Sequence, residues 1–391
     1  MKLRRIMSFV TAFLMLALLF PTAFAAGSRT APEGYDEYEY NKVVSFLNIT
    51  DDSGATNASK LGITDLDDPS TWSNSILWSG GHVVMFSAVN KDLKGDLDVS
   101  GFTELDMLYC ARNDLSSVNA SDCPSMTMMD CNGNSNMTAL SVAGSSLIQE
   151  FDASGCALVT LDMSGLSGID IGVDLSDNEL VYLNMTGCAN VPYLFCDSNK
   201  LETLILDGCT SLNQLNCGSN NLTELDLSGC TALSEVNCLD NPLTSVILAG
   251  TEMRFDSFVV EGSGTISIWD MEHDEDNRML LLQAEAAEGA EFLGWYDGDT
   301  LLSTDVFADL TETMADIGTV ITAKFSVAPL LGDVNCDGTV GFDDVTMLAS
   351  YIVHALSELS EQSMINADMN QDGDVNSLDI SYIYNYLMNK R

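Results

Sequence analysis

From about Asp96 to Gly250 the apolar residues return every 21 positions. Three units show it best: LFCDSNKLETLILDGCTS, LNCGSNNLTELDLSGCTA and VNCLDNPLTSVILAGTE, starting at Leu194, Leu215 and Val236. Their shared pattern, L-x-C-x-x-N-x-L-x-x-L-x-L-x-G-C-x-x-L, holds two short alternating segments per unit. Side chains alternate across a strand, so each L-x-L predicts a short strand with its leucines turned inward. Stacked units then bury one continuous core that no single unit forms alone. The fixed Asn rungs are Asn113, Asn134, Asn178, Asn199, Asn220 and Asn241, and Cys156 takes that place in one turn with spacings of 22 on either side. About seven turns are expected. The Asn side chains are assigned to backbone groups at the tight turns. Outside the repeat the period changes. Tyr40, Val43, Val44 and Leu47 stand at helical spacing within Glu37–Leu47. Alternating strands fill 255–326, with Gly and Asp at the turns. Near the end, Val345, Leu348, Tyr351 and Ile352, then Ile380, Ile383, Tyr384 and Leu387, predict two helices.

The repeat resembles the leucine-rich repeat in a 21-residue bacterial form. Glu37–Leu47, with the loop carrying Trp72 and Trp78, resembles the amino-terminal cap of similar secreted repeat proteins, which covers the open core end. The two tryptophans are assigned to cap packing, with a grip on sugar rings as the alternative. The strands EGSGTISIW, FLGWY and TVITAKF resemble the small β-rich module of internalin-type bacterial surface proteins. That resemblance implies a spacer or contact module with Trp295 in its core. The expected organisation is a signal peptide (1–25), an N-terminal helical cap (26–95), a β-rich leucine-rich-repeat solenoid (96–254), a small β module (255–327) and a C-terminal all-α domain (332–391).

Composition narrows the function. The 391 residues hold 15 Lys+Arg against 58 Asp+Glu, a net charge of −43. Such a field repels phosphate backbones and anionic lipid surfaces, which argues against nucleic-acid and membrane binding. It suits a binder of cations or a partner of basic surfaces. With 46% hydrophobic residues the chain can bury a core. Met1 to Ala25 has Lys2, Arg4 and Arg5 ahead of an apolar run and ends Ala23-Phe24-Ala25, the pattern of a secretory signal. Export is therefore expected, without direct insertion into a membrane. Eleven cysteines in an exported chain suggest disulfides. Here, though, they recur at repeat phases, Cys110 with Cys131, Cys196 with Cys217 and Cys238, Cys188 with Cys209 and Cys230. That phasing reads as a ladder of small buried side chains, with bridging between rungs left open.

One outward row crosses the predicted strands: Tyr109, Asp130, Asp152, Asp174, Phe195, Asn216 and Asn237. Two readings stand, a solvated acidic face or a docking strip for a Lys-rich partner anchored on Tyr109 and Phe195.

The most specific chemistry lies near the end. GDVNCDGTVGFDD is followed 35 residues later by ADMNQDGDVNSLD. Oxygen ligands fall at positions one, three, five, seven and twelve of a calcium loop. In the first loop these are Asp333, Asn335, Asp337, the Thr339 carbonyl and Asp344, around Gly338. In the second they are Asp368, Asn370, Asp372, the Asp374 carbonyl, Asn376 at position nine and Asp379, around Gly373. Gly341 stands at position nine of the first loop, so water must substitute there and that site is expected to be the weaker. Hard oxygen donors at this spacing select Ca2+ over Zn2+, two ions in all. A helix follows each loop and no entering helix is evident. Duplicated half EF-hands closed by Asp resemble a dockerin domain of type I. The resemblance implies a cohesin module of a scaffoldin as partner, with Phe342 and Asp343 in one half and Ser377 and Leu378 in the other facing it. The halves differ, so one dominant orientation is expected, through Ser377 and Leu378.

Catalysis finds little room. Three histidines (His82, His273, His354) leave few bases, and no segment of about 200 residues remains for a catalytic barrel. The expected function is a non-catalytic secreted component of a cellulosome-type polysaccharide-degrading complex, docking through calcium while its repeats bind a protein or glycan. The alternatives are a polysaccharide-active hydrolase or a purely architectural adhesin.

Overall fold

The structure, a computed structural model, describes residues 29–389 except 73, 249, 252–254, 273–277, 312–317, 319, 328–329 and 337. The signal-peptide reading, His273 and the expected ligand Asp337 thus lie outside the described residues. Among the described residues no helix is long and apolar enough to cross a membrane. The chain forms two compact units, one holding the chain as far as Phe258 with Ser267–Gln283, the other holding Ala284–Ala308 and the chain from Ile321.

The first unit is a β-solenoid of eight turns. Strands His82–Ser87, Met107–Tyr109, Met128–Asp130, Glu150–Asp152, Gly172–Asp174, Tyr193–Phe195, Gln214–Asn216 and Glu235–Asn237 stack in parallel as successive neighbours. The eighth turn is the first, His82–Ser87, whose HVVMFS lacks the Leu and Asn markers of the repeat. Their middle residues, Leu108, Met129, Phe151, Val173, Leu194, Leu215 and Val236, align in register and are buried. The other side of each turn carries shorter parallel runs, such as Thr160–Asp162, Tyr182–Asn184 and Thr203–Ile205. Antiparallel strands flank the parallel stack at both ends: Ile76–Ser79 against His82–Ser87, and Trp269–Asp270 against Val236–Asn237.

The Asn rungs tie turn to turn. Asn220 Oδ1 accepts the Leu201 N–H of the preceding turn at 2.8 Å, while its Nδ2 donates to the carbonyls of Cys196 (3.0 Å) and Cys217 (3.1 Å). Asn134, Asn178, Asn199 and Asn241 repeat this set. At the drifted turn Cys156 replaces them only in part, its thiol donating to the Cys131 carbonyl at 3.5 Å. All eleven cysteines are free thiols and the ten of the solenoid are buried. At one corner the thiols of Cys123, Cys188 and Cys209 donate to carbonyls of the preceding turn at 3.1–3.2 Å. Burial pushes Cys188 up to about 11 and Cys238 to about 12, so these thiols are poor nucleophiles.

The first turn is covered by α1 (Glu37–Leu47), N-capped by Asp36, whose side chain accepts the Glu39 N–H at 3.0 Å. Tyr40, Val43, Val44 and Leu47 are all buried, as the spacing predicts. Two buried charges in α1, absent from that apolar pattern, fix it in place. Lys42 reaches Asp98 at 2.9 Å and both the carbonyl and hydroxyl of Ser100. Glu39 accepts from the Val83 N–H at 2.7 Å and pairs with His82 Nδ1 at 3.0 Å. Trp72 is buried, stacks on Tyr40 and donates to the Asp65 carbonyl at 2.8 Å. That is cap packing, and Trp78 packs edge-on against it. In the second unit Phe292–Asp297 pairs antiparallel with Thr300–Ser303 and with Val320–Phe325, burying Trp295 between Phe292 and the Asp305 carbonyl.

Asn220→Ala leaves one buried N–H and two buried carbonyls without their partner, which costs about 2–5 kcal/mol. Urea unfolding should show that loss, while Asn136→Ala, at an exposed position, should sit within about 0.5 kcal/mol of the parent. The Glu39 hydrogen bond raises the His82 pKa against the opposing effect of burial, with Asp36 and Glu104 adding to the rise. A raised folded pKa contributes stability that is full below the unfolded value and fades as pH climbs through the folded one. The melting temperature of the parent relative to His82→Gln should therefore fall from pH 6 to pH 8.

Candidate functional site

The outward row on the long sheet is real as a row. Tyr109, Asp130, Asp152, Asp174, Phe195, Asn216 and Asn237 are paired in register across six strand pairs. It is half-buried rather than fully open, because each acid also builds a turn. Asp152 Oδ1 accepts the Ser154 N–H at 2.9 Å and its hydroxyl at 2.7 Å, and Asp174 does the same with Ser176 at 2.9 and 2.6 Å. Asp130 accepts the Asn132 N–H at 3.1 Å. The Asp-x-Ser spacing is the sequence signal for these turns, and it recurs on the opposite face at Asp98, Asp162 and Asp226. Burial, with repulsion from Asp152 and Glu150, raises the Asp130 carboxyl above its usual range. Tyr109 is raised chiefly by burial, and its hydroxyl lies 3.1 Å from the Met128 sulfur.

The second site is the pair of acidic loops. The first runs into α2 (Phe342–Ile352), and the second lies between α3 (Glu361–Ala367) and α4 (Ser377–Asn389). The entering helix α3 was not expected; its signal is Ser360, whose side chain accepts the Ser363 N–H at 3.0 Å as an N-cap. The last acid of each loop is fully buried in the first turn of its exiting helix. Asp344 accepts the Asn335 N–H at 3.0 Å and the Gly341 N–H at 2.7 Å. Asp379 accepts the N–H groups of Met369 at 3.0 Å and Asn376 at 2.9 Å. The first acids match as well: Asp333 takes the Gly338 N–H at 2.9 Å, and Asp368 takes those of Gly373 at 2.9 Å and Asp372 at 3.1 Å. Gly338 (φ +85°) and Gly373 (φ +89°) make the left-handed turns this closure requires. The same geometry thus occurs twice at the same spacing.

Asn370 and Asp372 are held together, Nδ2 to Oδ2 at 2.8 Å, and Asn376 Nδ2 donates to the Asp374 carbonyl at 3.1 Å. Thr339 is exposed. Among the described residues no three His, Cys, Asp or Glu side chains form a metal cluster. The loops instead interleave Asp with Asn and carbonyl oxygens, the donor set of a hard cation. A charge argument supports the fit. Asp344 and Asp379 are wholly buried and Asp333 nearly so, on a segment with no Lys or Arg between Lys324 and Lys390. Burying such carboxylates unpaired costs several kcal/mol each, and a divalent ion held by the loops offsets that cost.

Residues 331–388 match the family model described as dockerin type I domain. This region is a dockerin type I domain. No curated protein matches the chain. Among solved structures the chain is similar to the functional domain of InlJ from Listeria monocytogenes, described as including a cysteine ladder, at 14% identity and a TM-score of 0.25, over 57% of this chain and 72% of that one.

The dockerin core is small: Val334, Leu348, Ala367 and Ile383 are fully buried, flanked by Val345, Tyr351, Ile380 and Leu387 among others. Tyr384, placed among the apolar positions of its helix by spacing, is exposed and meets Phe342 edge-on at 6.1 Å. The buried Asn366 joins the halves, donating to the Asp333 carbonyl at 2.7 Å. The four residues expected to face a partner, Phe342, Asp343, Ser377 and Leu378, are all exposed at the starts of the dockerin helices α2 and α4. Their surroundings differ. Phe342 packs on Tyr384 and Asp343 accepts from Asn335 Nδ2 at 3.2 Å, whereas Leu378 stands 49% exposed one turn before Tyr382, itself 45% exposed.

Proposed function

We propose that the chain is a non-catalytic, secreted component of a cellulosome-type polysaccharide-degrading assembly. Its dockerin takes up two Ca2+ ions and then binds a cohesin module of a scaffoldin, while the leucine-rich repeats hold a separate partner. The first ion is held by Asp333, Asn335, Asp337, the Thr339 carbonyl and Asp344. The second is held by Asp368, Asn370, Asp372, the Asp374 carbonyl, Asn376 and Asp379. The observation that carries this reading is the family match over a segment in which the same closed acidic loop is built twice around a buried aspartate. The ion neutralises the loop carboxylates and holds α2 and α4 in the pose that presents their first turns. The non-catalytic reading is supported by how the chain is used: cap, solenoid and β strands take up the residues ahead of the dockerin.

The cohesin is met chiefly through the second half. Leu378 and Ser377 open α4 beside the exposed stripe Leu378, Tyr382 and Tyr386, which recurs every four residues and lies on one helix face. Phe342 and Asp343 are engaged within the domain.

Capture of the full chain on an immobilised type I cohesin tests this. Binding is expected with calcium and lost with chelator. Leu378→Asp should weaken it at least about tenfold, since a charge replaces an apolar anchor at the centre of a contact. Loss of capture by Phe342→Ala with Asp343→Ala, with Leu378→Asp unaffected, would reverse the orientation. Capture that ignores chelator would remove the calcium-dependent role altogether.

A further inference from the structure

The two acidic loops are near-copies, and one buried residue breaks the likeness. Two places before the opening aspartates, Asp333 and Asp368, stand Leu331 in one half and Asn366 in the other. Asn366 is 3% exposed near the end of α3 and takes no part in closing either loop. Its Nδ2 crosses to the first loop and donates to the Asp333 carbonyl at 2.7 Å. Its own carbonyl accepts the Gly332 N–H, also at 2.7 Å. Gln362 Nε2 donates to its Oδ1 at 2.9 Å, which fixes the amide with Nδ2 aimed at Asp333.

The loops also touch at this point. A Cβ placed on Gly332 would lie 2.9 Å from Val340 Cγ1 and 3.2 Å from Met369 Sδ. The missing side chain thus lets one residue of each loop close on the backbone just ahead of Asp333. Met369 is in turn held by the second loop's closing acid, its N–H donating to Asp379 at 3.0 Å. Nearby, Ser363, buried in α3, lies 3.5 Å from the Cys336 thiol of the first loop. The opening of the first loop is therefore clamped by groups that lead into the second.

We propose that Asn366 is a positioning residue that couples the two loops, so that calcium uptake by the second raises the affinity of the first. The inference rests on reading both loops as calcium sites. Position nine is Asn376 in the second loop and Gly341 in the first, so the second fills first. Its closure fixes Asp368 and Met369. Helix α3 is only seven residues long and ends at Ala367, so its last turn depends on that closure. Asn366 then holds Gly332 and the Asp333 carbonyl in place before the weaker loop closes. The first loop has less freedom left to lose, which reads as tighter binding. Such coupling is reciprocal and typically worth about 5–150-fold in affinity. Helices α2 and α4, one leaving each loop, are then presented together over a narrow range of calcium.

The Gly338 and Gly373 N–H groups each donate to the opening aspartate of their own loop at 2.9 Å, so their amide signals report the two loops separately. The test titrates full-length protein labelled with nitrogen-15 glycine with calcium and follows these amides by NMR. Asp372→Ala removes a ligand of the second loop alone and should raise the calcium midpoint of Gly338 at least about tenfold. Asn366→Ala should raise the Gly338 midpoint at least about tenfold and that of Gly373 less than about twofold, because the second loop fills before the coupling acts. Adding Asp372→Ala to Asn366→Ala should then shift Gly338 no further. Leu387→Ala loosens the fringe of the core without touching this link and should move both midpoints together, as a purely structural role for Asn366 would. Gln362→Ala frees the Asn366 amide without removing it, and decides through the same two midpoints should Asn366→Ala fail to fold. Both midpoints rising alike in the Asn366 or Gln362 variant, or a Gly338 midpoint that ignores Asp372→Ala, would overturn the proposal. Loops that respond independently would remove this coupling and leave calcium docking standing, whereas loops that do not respond at all would remove both.

Discussion

Negative charge that the chain does not itself neutralise governs the carboxyl-terminal domain. Asp344 and Asp379 are buried at the first turns of two helices, and their oxygens accept backbone N–H groups from the loops they close. Those hydrogen bonds orient the carboxylates and leave their charge in place. The apolar core beneath them amounts to four fully buried residues with a partly buried fringe. So small a core offers little stability against repulsion among ten acids within 61 residues, 331–391. Under the proposed calcium-dependent docking, folding and cation uptake become one event, and the presentation of Ser377 and Leu378 would depend on it.

The solenoid solves the opposite problem. Its acids are spread along edges, where Asp98, Asp130, Asp152, Asp162, Asp174 and Asp226 serve as turn acceptors, and its stability comes from neutral groups repeated in register. Asn220 bonds one N–H and two carbonyls on two different turns, and its equivalents do so in succession. A turn is therefore completed by its neighbours, which explains why antiparallel strands flank the parallel stack at both ends and why α1 covers the first turn. Such a scaffold leaves its outward positions free to vary without disturbing the core.

Much of this was legible in the chain. The 21-residue period, the Asn rungs and the in-register row from Tyr109 to Asn237 follow from spacing alone, because a strand's alternation and a parallel stack leave few other arrangements. The paired closed loops were legible because the Asp/Asn/Gly interval repeats 35 residues apart, and the structure builds the same closure on Asp344 and Asp379. The first solenoid turn was not, since Val83 and Phe86 fill the core there without the Leu and Asn markers. Helix α3 was missed because EQSMINA is only seven residues long and too short for a period to emerge. Tyr384 was misplaced because helical spacing identifies a face but not where that face ends. The turn-building role of the row's acids depends on Ser154 and Ser176, two residues further on, and becomes apparent only once the hydrogen bonds are seen.

Calorimetric titration of the metal-depleted full-length protein with calcium, followed in parallel by circular dichroism, tests calcium-coupled folding of the carboxyl-terminal domain most directly. Uptake of two ions per chain, a gain in helical signal and a strand signal that stays constant throughout are expected. No uptake, or uptake with helical signal unchanged, would contradict it.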